Sequence, residues 1–395
     1  MLMRVTRNFL ISASVIVLLA TVSSCKKKDD SALSGSNAVS TTGDIVVGAL
    51  GPTTGAEATY GVSAKNGIEM AFEKINGAGG VAGRKLRMVF YDDQGKPEEA
   101  AAVMTRLITQ DKVVAVLGEI ASSRSLAMAP IAQTHKVPMI SHTSTNPKVT
   151  EIGDYIFRVC FIDPFQGSVV ATFVSDTLHS KKAAVLRDLK SDYSVGLAQF
   201  FKEKYVGSGG QIVAEEAYSS GDIDFKAQLT AIRATKPDFV FVPGYYTDVG
   251  LIIRQGRELG IVVPFGGGDA RDSDKLFEIG GKSMEGTYFS NHYSPDSEDP
   301  IVKGFVAEYK QKYGAVPDTI AALAYDSAGV LAEAMKRARS LSGADLRDAI
   351  AHTNGYMGAT GKITLDAKRN PTKSAVIIKI ENGKRNYLKT INPSG

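Results

Sequence analysis

The chain has 395 residues, a formal net charge of +4, 44% hydrophobic residues and 22% charged residues. This length exceeds what one hydrophobic core normally holds, so two domains are expected. The nearly balanced charge is unlike the basic surface of nucleic-acid-binding proteins, and no nucleic-acid partner is expected.

The first 24 residues resemble a targeting segment. Arg4 and Arg7 precede an apolar run at 9–22, which as a helix would span only about 21 Å of a roughly 30 Å hydrocarbon layer. This pattern predicts a secretory signal peptide over 1–24. The run from Val22 to Cys25 is similar to a lipobox, in which cleavage precedes a cysteine that carries lipid. The alternative is a signal peptide that happens to contain a cysteine.

Residues 25–43 have no hydrophobic periodicity and few large apolar side chains. We interpret them as a flexible tether between a lipidated Cys25 and a folded body that starts at residue 44. Cys160 is the only other cysteine, so no internal disulfide is expected. Its apolar neighbours predict a buried, unreactive thiol. The protein is therefore expected outside the cytoplasm, held to a bacterial membrane by lipid alone, at the periplasm or the cell surface.

Strand and helix patterns alternate along the body. The first series has strands at DIVVGALGP, KLRMVFYDD, VVAVLGE and VPMISHTST, with helices such as PEEAAAVMTRLITQD and SSRSLAMAPIAQTHK between them. A second series begins near Asp163, with strands at KAAVLRD, QIVAEEAY, FVFVPGY and VPFGGG. Helical segments from IVKGFVAEYKQKYG to ADLRDAIAH follow, and the chain ends on strand-like segments from KITLD to RNYLKTI. This alternation predicts an α/β fold with two doubly wound lobes, whose ligands bind beyond the carboxyl ends of the strands.

Two adjacent serines, Ser122 and Ser123, follow the third strand and begin a helical pattern. They could serve as a nucleophile, a phosphate cradle, a helix cap or a contact for another ligand. The chain has no Gly-x-Ser-x-Gly motif, and its five histidines lack metal-ligand spacing. We therefore expect no enzyme, no metal and no cofactor. The helix-cap and ligand-contact interpretations both remain open, because a helix N-terminus also attracts anions.

Two further strand exits carry polar side chains. The segment SHTSTNP at 141–147 is rich in hydroxyl groups, and Asp269 follows three glycines in FGGGDAR. Asp269 could contact a ligand or simply cap the next helix.

Long segments of the body resemble the leucine/isoleucine/valine-binding proteins, the type I periplasmic solute-binding subunits of ABC importers. The resemblance is carried by DIVVGALGPTTG, INGAGGVAGRKLRMVFYDDQGKPEEA, SSRSLAMAPIAQTHKVPMISHTSTNP and DFVFVPGYYTDVGLIIRQGRELG, and it extends over nearly the whole body. It implies two lobes joined by three crossovers, near 163–165, 291–293 and 359–361. The first lobe would comprise 44–163 and 293–358, and the second 164–292 and 359–395.

The resemblance also implies a set of ligand contacts, carried over position by position. The serine that binds the ligand carboxylate matches Ser122, and the acid that pairs with the ligand ammonium matches Asp269. The remaining matches are a polar segment that holds both charged groups and tyrosines that close over the ligand, at Thr143, Ser144, Thr145, Tyr60, Tyr193 and Tyr245. Asp269 departs from the glutamate of leucine-binding relatives and reaches one methylene less. Ser123 is then expected to cap the helix, and Arg124 to be a solvated helix residue.

The function implied by the resemblance is an extracytoplasmic receptor that captures an amino acid and delivers it to the permease subunits of an ABC transporter. A monomer is expected. The ligand is not fixed, because the family includes receptors for amides, urea-like compounds and aromatic acids. A ligand-sensing lipoprotein is a further alternative.

Overall fold

The computed structural model describes residues 43–393, in which parallel strands form the centre of two β-sheets. The first sheet has the strand order β2-β1-β3-β4-β5, and all of its strand pairs are parallel. Its strands are β1 (Ile45–Leu50), β2 (Leu86–Tyr91), β3 (Val116–Leu117), β4 (Met139–Ser141) and β5 (Ile156–Arg158).

The second sheet combines five parallel strands with an antiparallel edge. The parallel strands are β6 (Lys182–Asp188), β7 (Gln211–Tyr218), β8 (Phe239–Phe241), β9 (Phe265–Gly267) and β10 (Tyr288–Asn291). After a separate hairpin of β11 (Tyr356–Gly358) and β12 (Gly361–Ile363), the edge is formed by β13 (Ala375–Glu381) and β14 (Lys384–Ile391). The order is β14-β13-β10-β9-β8-β6-β7, with β13 antiparallel to both neighbours.

Helices connect these strands and cover the sheets. They are α1 (Ala58–Gly77), α2 (Pro97–Thr109), α3 (Ser122–His135), α4 (Lys148–Glu151), α5 (Asp163–Asp176), α6 (Asp192–Gly207), α7 (Lys226–Ala234), α8 (Tyr246–Glu258), α9 (Lys275–Gly280), α10 (Pro300–Tyr313), α11 (Thr319–Arg337) and α12 (Gly343–Ala351). Within residues 43–393, no helix is long and apolar enough to cross a bilayer.

Apolar side chains of the helices and strands form the core of both units. Ile68 and Phe72 of α1 and Leu107 of α2 are almost fully buried, and strands β1, β3 and β8 lie in the core. The alternation thus gives parallel sheets covered by helices, as predicted. Strand β5 and the single-turn helix α4 were not predicted.

The chain passes three times between the two α/β units. It leaves the first sheet after β5, leaves the second after β10, and returns to the second sheet at β13. Between the last two passages, α11 packs against α1, β3 and β4 of the first unit. The fold is therefore the two-unit, three-crossover α/β architecture that was expected, while the lobe bounds remain a prediction. The predicted signal peptide, Cys25 and most of the tether lie outside the described residues.

Candidate functional site

The residues predicted to bind ligand lie at the carboxyl ends of parallel strands from both sheets. Ser122 begins α3 after β3, and Thr143 follows β4, both on the first sheet. Tyr193 lies in the first turn of α6, Tyr245 follows β8, and Asp269 follows β9 on the second sheet. Strand ends are where open α/β sheets bind ligands, so the fold itself places these side chains around one cleft.

A cavity with about 310 Å³ of empty space lies between the two units. It is lined by Tyr60, Ile120, Ser122, Thr143, Tyr193, Tyr245, Asp269, Ala270, Thr319 and Ile320. The structure therefore brings six of the eight predicted residues together. Thr319 and Ile320 were missed, because they begin α11, whose hydrophobic pattern predicts only that the helix packs against the core.

The hydroxyl groups on the first-unit side of the cavity differ in what they can still bond. Ser122 Oγ accepts a hydrogen bond from the backbone N–H of Asn146 at 3.2 Å, so its own proton is free to donate. Thr143 Oγ1 donates to the carbonyl of Ile120 at 3.0 Å, so this oxygen can only accept further bonds. One hydroxyl is thus suited to an anion, and the other to a cation.

Asp269 provides the negative charge on the opposite side of the cavity. Its Oδ1 accepts hydrogen bonds from Tyr193 Oη at 3.0 Å and from Gln166 Nε2 at 2.7 Å, and its Oδ2 lies 2.9 Å from His292 Nε2. Burial lowers the pKa of His292 in spite of the neighbouring Asp269, so the ring is neutral at neutral pH. All three partners are therefore neutral donors, and the carboxylate charge is not cancelled. Sequence reasoning missed Gln166, which lies within helix α5, and His292, which directly follows β10 but was considered only for metal-ligand spacing.

Three tyrosines form the aromatic wall. Tyr245 stacks on Tyr193 with ring centroids 5.6 Å apart and meets Tyr60 edge-on at 6.1 Å. The Tyr60 hydroxyl donates to the carbonyl of Ala270, across the cleft. Tyr60 belongs to the first unit and the other two to the second, so residues of both units form this wall.

Ser144 and Thr145 are buried next to the cavity but do not line it. Ser144 Oγ lies 2.7 Å from Ser125 Oγ and donates to the backbone carbonyl of Ile120, while its N–H donates to Ser141 Oγ. Thr145 lies beside the buried carboxyl of Asp163, and burial raises the pKa of that carboxyl although the Thr145 hydroxyl opposes the shift. Both side chains thus support the loop that carries Thr143, and their direct contact with ligand remains a prediction.

Two expectations about the start of α3 were wrong. Ser123 does not cap the helix, because the N-cap position is Ala121 and no side chain caps it. The Ser123 hydroxyl instead accepts a hydrogen bond from the N–H of Asp192 in the second unit at 2.9 Å. Arg124 is not solvated: its side chain is 4% exposed. Its guanidinium lies 2.8 Å from Glu119 and 2.8 Å from Glu57. These two carboxylates replace the water that would hydrate the guanidinium on an exposed helix surface.

Other chemistry is not supported by the described part of the chain. Among residues 43–393 no group of three or more His, Cys, Asp or Glu side chains could hold a metal ion. Cys160 is fully buried, as predicted, and burial raises the pKa of its thiol to about 12.

Comparison with known proteins agrees with this geometry. The family model described as periplasmic binding protein matches residues 44–384. An amino acid binding protein of Pseudomonas aeruginosa is 37% identical over 239 residues, which cover 60% of this chain and 64% of that protein, somewhat less than two thirds of its length.

Two solved structures are similar over their whole length. A leucine-binding protein from Thermotoga maritima is 39% identical, with a TM-score of 0.85, covering 88% of this chain and 99% of that one. A branched-chain amino acid transporter substrate-binding protein from Streptococcus pneumoniae, solved with isoleucine, is 36% identical, with a TM-score of 0.84, covering 89% of this chain and 100% of that one.

A cleft between two α/β units, lined by fixed polar groups at the carboxyl ends of parallel strands, is the arrangement of a solute receptor. The chain belongs to the periplasmic binding protein family, in the branch that resembles branched-chain amino acid receptors. It is thus an extracytoplasmic solute-binding protein and not an enzyme.

Proposed function

We propose that the protein captures a small aliphatic amino acid between its two units and delivers it to the permease subunits of its ABC transporter. The observation that carries this proposal is the uncancelled carboxylate of Asp269. A buried carboxylate bonded only to neutral donors favours a cation in the adjoining cavity, and the ammonium group of an amino acid supplies one.

The opposite end of a zwitterion matches the remaining polar groups. The free hydroxyl proton of Ser122 can donate to a carboxylate, and the helix that begins at this residue adds a favourable dipole. Thr143 Oγ1 can accept from the ammonium group together with Asp269. Of the three residues at 143–145, Thr143 is therefore the one for which we propose direct side-chain contact.

The walls of the cavity indicate the class of side chain. A cavity enclosed by Ile120, Ile320 and tyrosine rings suits an aliphatic side chain better than a charged one. The similar proteins that are described as binding leucine or as bound to isoleucine support the same class.

We further propose that the mature protein is a monomer whose Cys25 carries the lipid anchor. A metabolically incorporated palmitate analogue should label the wild-type protein and not Cys25→Ser, and the variant should leave the membrane fraction. Labelling of both proteins, or of neither, would count against the anchor. Sedimentation of the detergent-solubilised protein should give the mass of one chain.

A thermal-denaturation screen tests the proposed ligand class. A ligand at about a thousand times its dissociation constant should stabilise the fold by roughly 4 kcal/mol. We expect leucine, isoleucine or valine to raise the melting temperature, and Asp269→Asn to abolish that rise. A rise with an aromatic acid or an amide, and with none of the twenty amino acids, would replace the proposed ligand.

A further inference from the structure

We propose that Gln166 and His292 are positioning residues that make the receptor selective for a ligand with a charged amino group. This inference rests on the proposed function, because it concerns how Asp269 recognises the ammonium group. The two residues act by holding the Asp269 carboxylate in place without neutralising it.

Gln166 connects the acid to the second sheet. Its side chain is fully buried on α5, and Nε2 lies 2.7 Å from Asp269 Oδ1 and 3.0 Å from Ser290 Oγ of β10. A carboxylate that is anchored on one oxygen by a donor with a second fixed contact has little freedom to rotate. The acid is therefore aligned before the ligand arrives.

His292 holds the other carboxylate oxygen. The imidazole stacks on Phe161 with ring centroids 3.6 Å apart, which fixes its plane. Its Nδ1 has no hydrogen-bond partner among the described residues, so the proton belongs on Nε2, where it is donated to Asp269 Oδ2. A lysine or arginine at this position would cancel the charge, whereas a neutral imidazole preserves it.

The backbone at Gly268 leaves room for this arrangement. A Cβ atom at this position would overlap the Tyr193 hydroxyl and lie 2.9 Å from Gln166 Nε2. Any side chain here would displace two of the three donors that surround the neighbouring Asp269. Gly268→Ala therefore perturbs the alignment of the acid without removing any of its partners.

The preference for leucine over an analogue without an ammonium group distinguishes a positioning role of Gln166 and His292 from a purely structural one. The test measures dissociation constants for L-leucine and for its hydroxy-acid analogue, L-2-hydroxy-4-methylpentanoate, which has a hydroxyl in place of the ammonium group. We expect the wild-type protein to prefer leucine by at least a hundredfold. Gln166→Leu, His292→Leu and Gly268→Ala should each reduce that preference at least tenfold, chiefly by weakening the binding of leucine.

A buried glutamine elsewhere provides the matched control. Gln255 on α8 bonds the backbone of residues 223 and 225, away from the cavity, so Gln255→Leu should lower stability and leave the preference unchanged. If His292→Leu does not fold, Gln166→Leu and Gly268→Ala still decide the question. Loss of affinity for both ligands by the same factor in these variants would overturn the positioning role.

The outcome for the wild-type protein separates this inference from the proposed function. A wild-type preference for leucine that survives in all folded variants overturns only the role of Gln166 and His292. A wild-type protein that binds the two ligands equally, or binds neither, overturns the ammonium site itself and this inference with it.

Discussion

The Ser123 hydroxyl accepts a hydrogen bond of 2.9 Å from the backbone N–H of Asp192, which joins helix α3 of the first unit to helix α6 of the second. The carbonyl of Asp192 accepts a second bond from Asn146 Nδ2 at 2.8 Å. Both polar groups of one peptide residue are thus bonded to side chains across the cleft. This contact can form only when the two units are close together, so it stabilises the closed form directly.

Ser123→Ala should therefore weaken ligand retention more than it weakens the fold. Loss of one hydrogen bond corresponds to about 0.5–1.5 kcal/mol, or roughly a two- to tenfold weaker affinity. We expect most of this change in the dissociation rate, measured by stopped-flow fluorescence. Ser342→Ala is the control, because it removes the cap of α12, far from the cleft, and should lower stability alone. An unchanged dissociation rate in Ser123→Ala would show that the hydrogen bond to Asp192 does not stabilise the closed form.

Ser122→Ala should reduce affinity through the carboxylate end of the ligand. Because a hydrogen bond to a charged group contributes about 1.5–3 kcal/mol, leucine should bind roughly ten- to a hundredfold more weakly. The affinity for leucinamide, which has no carboxylate, should decrease less. Competition binding measures both ratios, and an equal loss for the two ligands would place the carboxylate elsewhere.

The buried ion cluster of α3 should be important for stability. Arg124→Met leaves Glu119 buried without its cation, which we expect to destabilise the protein by about 3–5 kcal/mol. Burial already raises the pKa of Glu119 well above its usual range. The double variant Arg124→Met/Glu119→Gln should recover part of the loss in urea denaturation. A single variant within about 0.5 kcal/mol of wild type would show that the cluster contributes little.

Asp163 should give the fold a characteristic pH dependence. Burial, with a contribution from the charge of Asp269, raises the pKa of Asp163 to about 8 from an ordinary value of 3.8. Between these values the folded state holds a proton that the unfolded state has lost, so the free energy of unfolding decreases as the pH rises. The decrease should approach 1.4 kcal/mol per pH unit, an order-of-magnitude figure, from about pH 4 to about pH 8.

Asp163→Asn should remove this component, so its stability relative to wild type should increase with pH and level off above about pH 8. Urea denaturation at a series of pH values measures the difference. The exposed Asp176→Asn is the control and should keep the wild-type pH dependence. Equal slopes for Asp163→Asn and wild type would mean that Asp163 titrates normally in the folded protein.

The sequence predicts the architecture well because its strands and helices are strongly patterned. The predicted strands KAAVLRD and QIVAEEAY coincide with β6 and β7. Six of the predicted ligand positions line the cavity. Each of them follows a strand or lies at the start of a helix.

What the sequence did not predict depends on contacts between distant segments. Gln166 and His292 are 126 positions apart, and only the fold brings both to Asp269. Arg124 has the spacing of a solvated helix residue, and its burial follows from Glu57 and Glu119 approaching it from two different loops. Local sequence patterns predict helix faces and turns. They do not predict which side chains from distant segments come into contact.

We expect the charged carboxylate of Asp269 to bind the ammonium group of an amino acid, and calorimetric titration of L-leucine into the wild-type protein and into Asp269→Asn measures that contact. The titrations should give one site per wild-type chain and at least a hundredfold weaker binding in the variant, equivalent to about 2.8 kcal/mol. Binding of leucine by Asp269→Asn within about threefold of wild type, roughly 0.7 kcal/mol, would contradict it.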